Sequence, residues 1–219
     1  MVSKWNRSFL ETFLPLPPAH FFSSAVTLSS YEKGKRLTLL PDFGALLGEE
    51  EPAVQMEAGY TQEAFFFMLQ VDKAFENCFY PEYRQGDSLE LFLDTRNDKT
   101  TSYVHAFCHH FVVLPKEVQQ VQIQEVTQFH ANEKRTHFHP SKPKVSVEFG
   151  SKQYQMFIEI PFTALYKFGL LKESKGKGRE IGFAYRLNQG KKPPKHFPFS
   201  SESISMPSHP DLWATLHLQ

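Results

Sequence analysis

The sequence predicts an all-β protein: an antiparallel β-sandwich of about ten strands, more than the six or so of a mean sheet, with one short helix and an N-terminal arm. Three observations lead there. Aromatic residues make up 15% of the chain, with Phe alone contributing 22, and the 15 prolines accompany no long Ala/Leu/Glu/Lys run; that composition suits pleated, half-buried surfaces. Short apolar runs recur along the chain, separated by polar turn residues. The segment from Gly86 to Asp98 alternates strictly, Ser88, Glu90, Phe92 and Asp94 against Leu89, Leu91 and Leu93. Such alternation marks a half-buried strand, leucines in the core and carboxylates outward.

In chain order, residues 1–20 read as an arm that docks on the body, with Trp5, Phe9 and Phe13 at helical spacing and a stop at Pro15, Pro17 and Pro18. Residues 21–219 read as a single domain. Residues 21–29 and 36–40 are two short strands, and 44–52 is an acidic loop. The run AFFFMLQV at 64–71 is apolar on both faces, as a central strand must be. A loop over 72–82 carries Phe75, Phe79 and Tyr80, with Tyr83 following. After the strand at 89–93, residues 103–114 and 121–127 make two more, with a turn at Pro115-Lys116. Residues 145–149 and 154–160 form a hairpin through Gly150. Residues 162–171 are expected to be the short helix, 172–179 and 191–195 flexible basic loops, and 181–187 and 213–218 the last strands.

Charge excludes some partners. Lys+Arg and Asp+Glu balance at 24 each, which offers no electrostatic case for nucleic acid or an anionic membrane. No run approaches the roughly 20 apolar residues of a transmembrane helix, and Glu11 with Pro15 to Pro18 interrupts any signal-peptide core. The two cysteines, Cys78 and Cys108, form no CxxC pair and are expected to be thiols. The expected location is cytoplasmic.

Four pieces, in order, are similar to motifs of the family 9 carbohydrate-binding modules and their DOMON-like relatives. They are Gly86 to Asp94 (GDSLELFLD), Phe157 to Phe162 (FIEIPF), Gly182 to Asn188 (GFAYRLN) and Pro210 to Leu216 (PDLWATL). The resemblance implies a jelly-roll-like antiparallel sandwich and, in the sugar-binding members, recognition of sugar ends by stacked aromatics and hydrogen bonds, sometimes with structural calcium. This chain departs from the pattern. It has only Trp5 and Trp213, Phe162 stands where that family has tryptophan, and Gln189 follows the matching Asn188 in place of aspartate.

The residues point to three functions. Glu90, Arg96, Arg186 and Asn188, with Tyr80 and Tyr83 as an aromatic platform, offer the paired donors, acceptors and apolar faces that sugar hydroxyls and rings need. The same Glu90–Arg186 pair also suits an ion pair that only organises the sheet. Asp94, Asn97 and Asp98 are closely spaced oxygen donors for a structural calcium, or an Asx-type turn. His105 and His109, placed on one strand face, are candidate transition-metal ligands, with His137 and His139 in a nearby loop. No nucleophile elbow or phosphate loop is present, so catalysis has little support. The leading expectation is a non-catalytic sugar-binding domain. Its rivals are a protein-interaction domain that lost the sugar clamp, and a histidine-based metal protein.

Overall fold

The computed structural model describes residues 24–32, 36–41, 54–126, 142–165, 179–198 and 206–219. Twelve strands run through them: β1 (Ala25–Leu28), β2 (Thr38–Leu39), β3 (Val54–Tyr60), β4 (Ala64–Val71), β5 (Asp87–Asp94), β6 (Cys108–Val118), β7 (Val121–Glu125), β8 (Lys144–Phe149), β9 (Tyr154–Pro161), β10 (Arg179–Gln189), β11 (Lys192–Phe197) and β12 (Ala214–Leu218). Seven form one sheet in the order β1-β12-β10-β5-β6-β7, with β11 also paired to β10. The other five form a second sheet, β2-β3-β4-β9-β8. Strand pairing is antiparallel except between β1 and β12. The all-β sandwich expected from the sequence is what the chain forms.

The core fills the space between the sheets. From the five-stranded sheet come Met56, Phe65, Phe67, Leu69, Met156, Ile158 and Ile160, and from the seven-stranded sheet Leu89, Leu91, Leu93, Phe111, Phe183, Leu187 and Leu216. The rings of Phe67 and Phe183 stack across the interface, 5.0 Å apart and 7° from parallel. A smaller apolar cluster lies on the outer face of the seven-stranded sheet, where Leu212 and Trp213 cover Phe92, Cys108 and Ala184. β5 sits between β6 and β10 with this cover above it, so all eight of its residues are buried. The half-buried strand with an outward polar face is therefore a strand buried on both sides.

Other expectations change as well. β3 had no clear signal, and of residues 191–195, expected to be a flexible basic loop, Lys192 to Lys195 belong to β11, paired with β10. β3 (VQMEAGY) alternates, but with Met, Ala and Gly in place of β-branched residues. β11 (KPPKHF) carries two prolines, tolerated because it pairs on one side only, with β10. Its Phe197 is buried in the core. The strand expected from residue 103 begins at Cys108 and runs on through Pro115 to Val118. The reversal comes at Gln119 and Gln120, both with positive φ. The expected short helix is a single 3-10 turn at Phe162–Ala164 that Leu165 leaves in extended backbone. Its continuation, the N-terminal arm, and His137 and His139 lie outside the described residues. Among the described residues no helix is long and apolar enough to cross a membrane.

The Phe67–Phe183 stack joins the two sheets at the centre of the core. Phe183→Ala is expected to lower unfolding free energy by about 3–5 kcal/mol, read by urea unfolding; a loss under about 1 kcal/mol would place the sheet contact elsewhere.

Candidate functional site

Register on the outer face of the seven-stranded sheet brings the polar side chains together. Glu90 on β5 lies opposite Arg186 on β10 and Val112 on β6, Ser88 lies opposite Asn188, and Phe92 opposite His110. β11 adds His196 directly across from Arg186. Cross-strand pairs share a face, so these residues form one patch.

Glu90 is its centre, with no exposure to solvent. Arg84 grips it with both arms, Nε to Oε1 at 2.9 Å and Nη2 to Oε2 at 2.8 Å. His110 Nε2 is 2.9 Å from Oε2, and Asn188 Nδ2 donates to Oε1 at 3.1 Å. Arg186 Nε lies 3.6 Å from Oε1 and donates instead to Asn188 Oδ1 at 2.9 Å. Asn188 Nδ2 also donates to Ser88 Oγ at 3.1 Å, and that hydroxyl donates to the Tyr83 carbonyl at 2.6 Å. Burial by itself would raise the Glu90 carboxyl, but the hydrogen bonds and charges of His110 and Arg84 outweigh it and hold the group at about 2. Glu90 is thus ionised, buried and paired.

Arg84 reaches Glu90 because the chain before β5 folds back over the sheet as a 3-10 turn, Tyr83–Gln85. Buried Asp87 pins that loop: its Oδ1 is 2.7 Å from Lys73 Nζ, its Oδ2 accepts from Glu76 N at 3.0 Å, and its own N–H donates to Asn77 O at 2.7 Å. Gly86 is required by space, since a Cβ there would lie 2.6 Å from Asn77 O and 2.9 Å from a Phe79 ring carbon. Tyr83 is half-buried beside Arg84, whose guanidinium carbon stands 5.7 Å from the ring centroid. Burial pushes its phenol up, and the charges of Glu90, Arg84, Arg186 and Tyr80 also reach it. His196 is lowered to about 4, first by burial and then by Arg186, so it is neutral at neutral pH. Its Nδ1 is buried without a hydrogen-bond partner.

Of the sequence candidates, Glu90, Arg186, Asn188, Tyr83 and Tyr80 thus meet at one end of β5. Arg96 does not join them. It follows the far end of β5, which lies roughly 13 Å along the strand from Glu90, with its guanidinium 3.3 Å above the Phe107 ring. Arg84 and His110 were missed. His110 adjoins a named candidate, but Arg84 arrives by a chain reversal with no local signal.

At that other end, Asp94 Oδ1 accepts from Arg96 N at 2.9 Å and Oδ2 from Asp98 N at 2.7 Å, which is the Asx-type turn. Asn97, at φ +50, bonds Thr215 through its amide. Asp98 accepts from Thr100 and Thr101, which hold its carboxyl at about 2. The three side chains therefore turn to separate partners. His105 and His109 do not share a strand face. His105 lies in the loop before β6, 3.7 Å from Asp94 Oδ2, whereas His109 faces the inter-sheet side with Nδ1 2.7 Å from Glu125 Oε1.

Removing the Glu90 charge leaves the guanidiniums around it uncompensated, so Glu90→Gln is expected to lose about 3–5 kcal/mol of stability. Its carboxyl lies below the ordinary 4.5, so between pH 4.5 and 2 the unfolded chain binds more protons than the folded one. Wild-type stability therefore falls with pH across that window, by roughly 3 kcal/mol from this group. In Glu90→Gln that component vanishes. Urea unfolding at pH 6 and pH 3 reads both effects, and an identical acid dependence in the two proteins would contradict the assignment.

No protein-family model matches the chain, and no curated protein does. Solved structures do. A family 9 carbohydrate-binding module from Caldicellulosiruptor kristjanssonii in complex with glucose aligns at TM-score 0.59 and 13% identity, covering 90% of this chain and 96% of that one. The same kind of module from that organism in complex with cellotriose aligns at 0.58 and 12%, covering 90% and 94%. A protein from Bacteroides uniformis ATCC 8492 aligns at 0.53 and 12%, covering 90% and 99%. Twelve strands in two facing sheets, aligned over nearly the full length of each of these proteins, lead to one conclusion. The chain has the fold of the family 9 carbohydrate-binding modules.

Proposed function

We propose that this chain is a non-catalytic carbohydrate-binding domain that takes a sugar on the outer face of the seven-stranded sheet, against Arg186, Asn188 and His196. The observation that carries the reading is the Glu90 cluster. One buried carboxylate fixes a guanidinium and an amide in register, beside an imidazole whose Nδ1 has no hydrogen-bond partner. Sugar hydroxyls each donate and accept, so rigid, pre-paired groups beside one unpartnered ring nitrogen suit them. Tyr83 and Tyr80 supply the apolar wall. Support also comes from the fold, since the modules from C. kristjanssonii were solved with glucose and cellotriose.

Glu90 itself acts from below. It has no exposed surface, so its part is to hold Arg84, Arg186 and Asn188 in place.

A protein-interaction role is the second reading, favoured by one observation. Among the described residues the tryptophan is Trp213, and it is buried against Phe92 with centroids 5.7 Å apart, where it cannot stack on a sugar.

Isothermal titration with glucose, cellobiose, cellotriose and a panel of other mono- and oligosaccharides separates the readings. The proposal predicts heat with at least one sugar, and a loss of at least about tenfold in affinity, near 1.4 kcal/mol, in Arg186→Ala and Asn188→Ala. Far-UV circular dichroism should be unchanged in both. Silence across the whole panel, or full affinity in both variants, overturns it.

Gly86→Ala tests how the face is built. The added methyl must displace the Asn77–Phe79 backbone, so Tyr83 and Arg84 lose their seat. Sugar affinity is expected to fall together with thermal stability, and a variant matching wild type in both would show that the loop does not position the face.

A further inference from the structure

We propose that Asp94, His105 and Cys108 form a binding site for a transition-metal ion of the zinc class. The site lies on the same sheet face as the Glu90 cluster but at the opposite end of β5, and it does not depend on the sugar-binding reading.

Three parts of the backbone bring the donors together. Asp94 on β5 and Cys108 on β6 are direct cross-strand partners on the outer face. A turn ahead of β6, closed by the Cys108 N–H on the His105 carbonyl at 2.9 Å, sets the histidine three residues before the cysteine and over it. Thr95 ties that turn to the end of β5, its N–H donating to Phe107 O at 3.1 Å and its hydroxyl to the same oxygen at 3.3 Å. The three donor atoms all lie within 4.8 Å of one another.

The spacing suits a tetrahedral ion. Cys108 Sγ is 3.6 Å from His105 Nδ1 and 3.7 Å from Nε2, and His105 Nε2 is 3.7 Å from Asp94 Oδ2. Ordinary zinc bond lengths at tetrahedral angles separate sulfur from nitrogen by about 3.5 Å and nitrogen from oxygen by about 3.4 Å. Cys108 Sγ stands almost equally far from the two ring nitrogens, so closing the site requires the His105 ring to turn until one nitrogen alone faces the sulfur and Asp94 Oδ2. Cys108 and Asp94 are fully buried, while the His105 side chain is 16% exposed, so the open position for an ion and a bound water is on the histidine side. The N–H groups of Arg96 and Asp98 aim the Asp94 carboxylate, the kind of outer support that metal ligands use.

A thiolate, an imidazole and one carboxylate select a zinc-class ion over calcium, which takes six to eight oxygens. On binding, the thiol proton leaves and a sulfur–metal bond replaces the S–H bond. Lys99 opposes the ion. Its ammonium donates to the Trp213 carbonyl and lies within Coulombic reach of Asp94 and Cys108, so in the metal-free protein it is the counter-charge of Asp94.

The test uses the full chain, stripped with a chelator and titrated with Co²⁺ and with Zn²⁺ against a chromophoric competitor. One equivalent of Co²⁺ is expected to bind with a sulfur-to-cobalt charge-transfer band in the near ultraviolet. That band disappears in Cys108→Ala and persists in Cys78→Ala. His105→Ala, on a partly exposed loop, keeps its fold and binds Zn²⁺ at least about tenfold more weakly. Lys99→Gln binds Zn²⁺ more tightly than wild type, because a repelling charge is gone. A hydrogen-bonded thiol–imidazole pair with no metal role gives no such gain. Absence of the band in wild type, its survival in Cys108→Ala, or a Zn²⁺ affinity indifferent to His105 and Lys99 overturns the proposal.

Discussion

Glu90 is held as a carboxylate in the first half of β5, out of contact with water, by Arg84, His110 and Asn188. A bare buried charge would take up a proton or distort the sheet, so its partners must stay in place as long as the strand does. This constraint propagates outward. Arg84 fixes the turn at Tyr83–Gln85, Asn188 fixes Arg186, and the register of β10 against β5 and β11 puts His196 beside them. The face is therefore rigid before any ligand arrives, which lowers the entropy lost on binding.

The same strand serves two chemistries at its two ends. Its leucines belong to the inter-sheet core, and its other face runs from the Ser88–Glu90 cluster, past Phe92 packed on Trp213, to Asp94. The aromatic pair in the middle separates the ends and keeps water from between them. Two adjacent histidines on β6 reflect this division. His109 turns to Glu125 on the inner side and His110 to Glu90 on the outer side, each satisfying a buried carboxylate. Two buried histidine–carboxylate contacts from neighbouring residues fix the register of β6, because a slip by one residue would strand both carboxylates.

The architecture was legible where periodicity is physical. The Leu89/Leu91/Leu93 alternation and the doubly apolar run at β4 follow from side chains pointing to opposite faces, and both strands lie where expected. Alternation says which residues share a face, however, not what covers it. For that reason Glu90 and Phe92 read as outward, although Arg84 and Trp213 lie over them. β11 was illegible because two prolines and two lysines carry no strand signal, and its position on the edge is a tertiary fact. His105 and His109 misled for the opposite reason. Their spacing is that of one strand face, yet the strand begins only at Cys108. Asp94 and His105 were each named as metal candidates with other partners, and only β5–β6 register with the turn before β6 joins them to Cys108.

The ionised state of Glu90 is the premise on which the ordered face rests. Carbon-13 NMR of the Glu90 side-chain carboxyl, followed from pH 7 downward in the folded protein, tests it directly. The account predicts a midpoint near 2, with the Asn188 side-chain amide resonances moving in step as the carboxyl takes its proton. A midpoint at or above 4.5, or Asn188 resonances indifferent to that titration, would mean that Glu90 does not organise the face, and the account would fail at its centre.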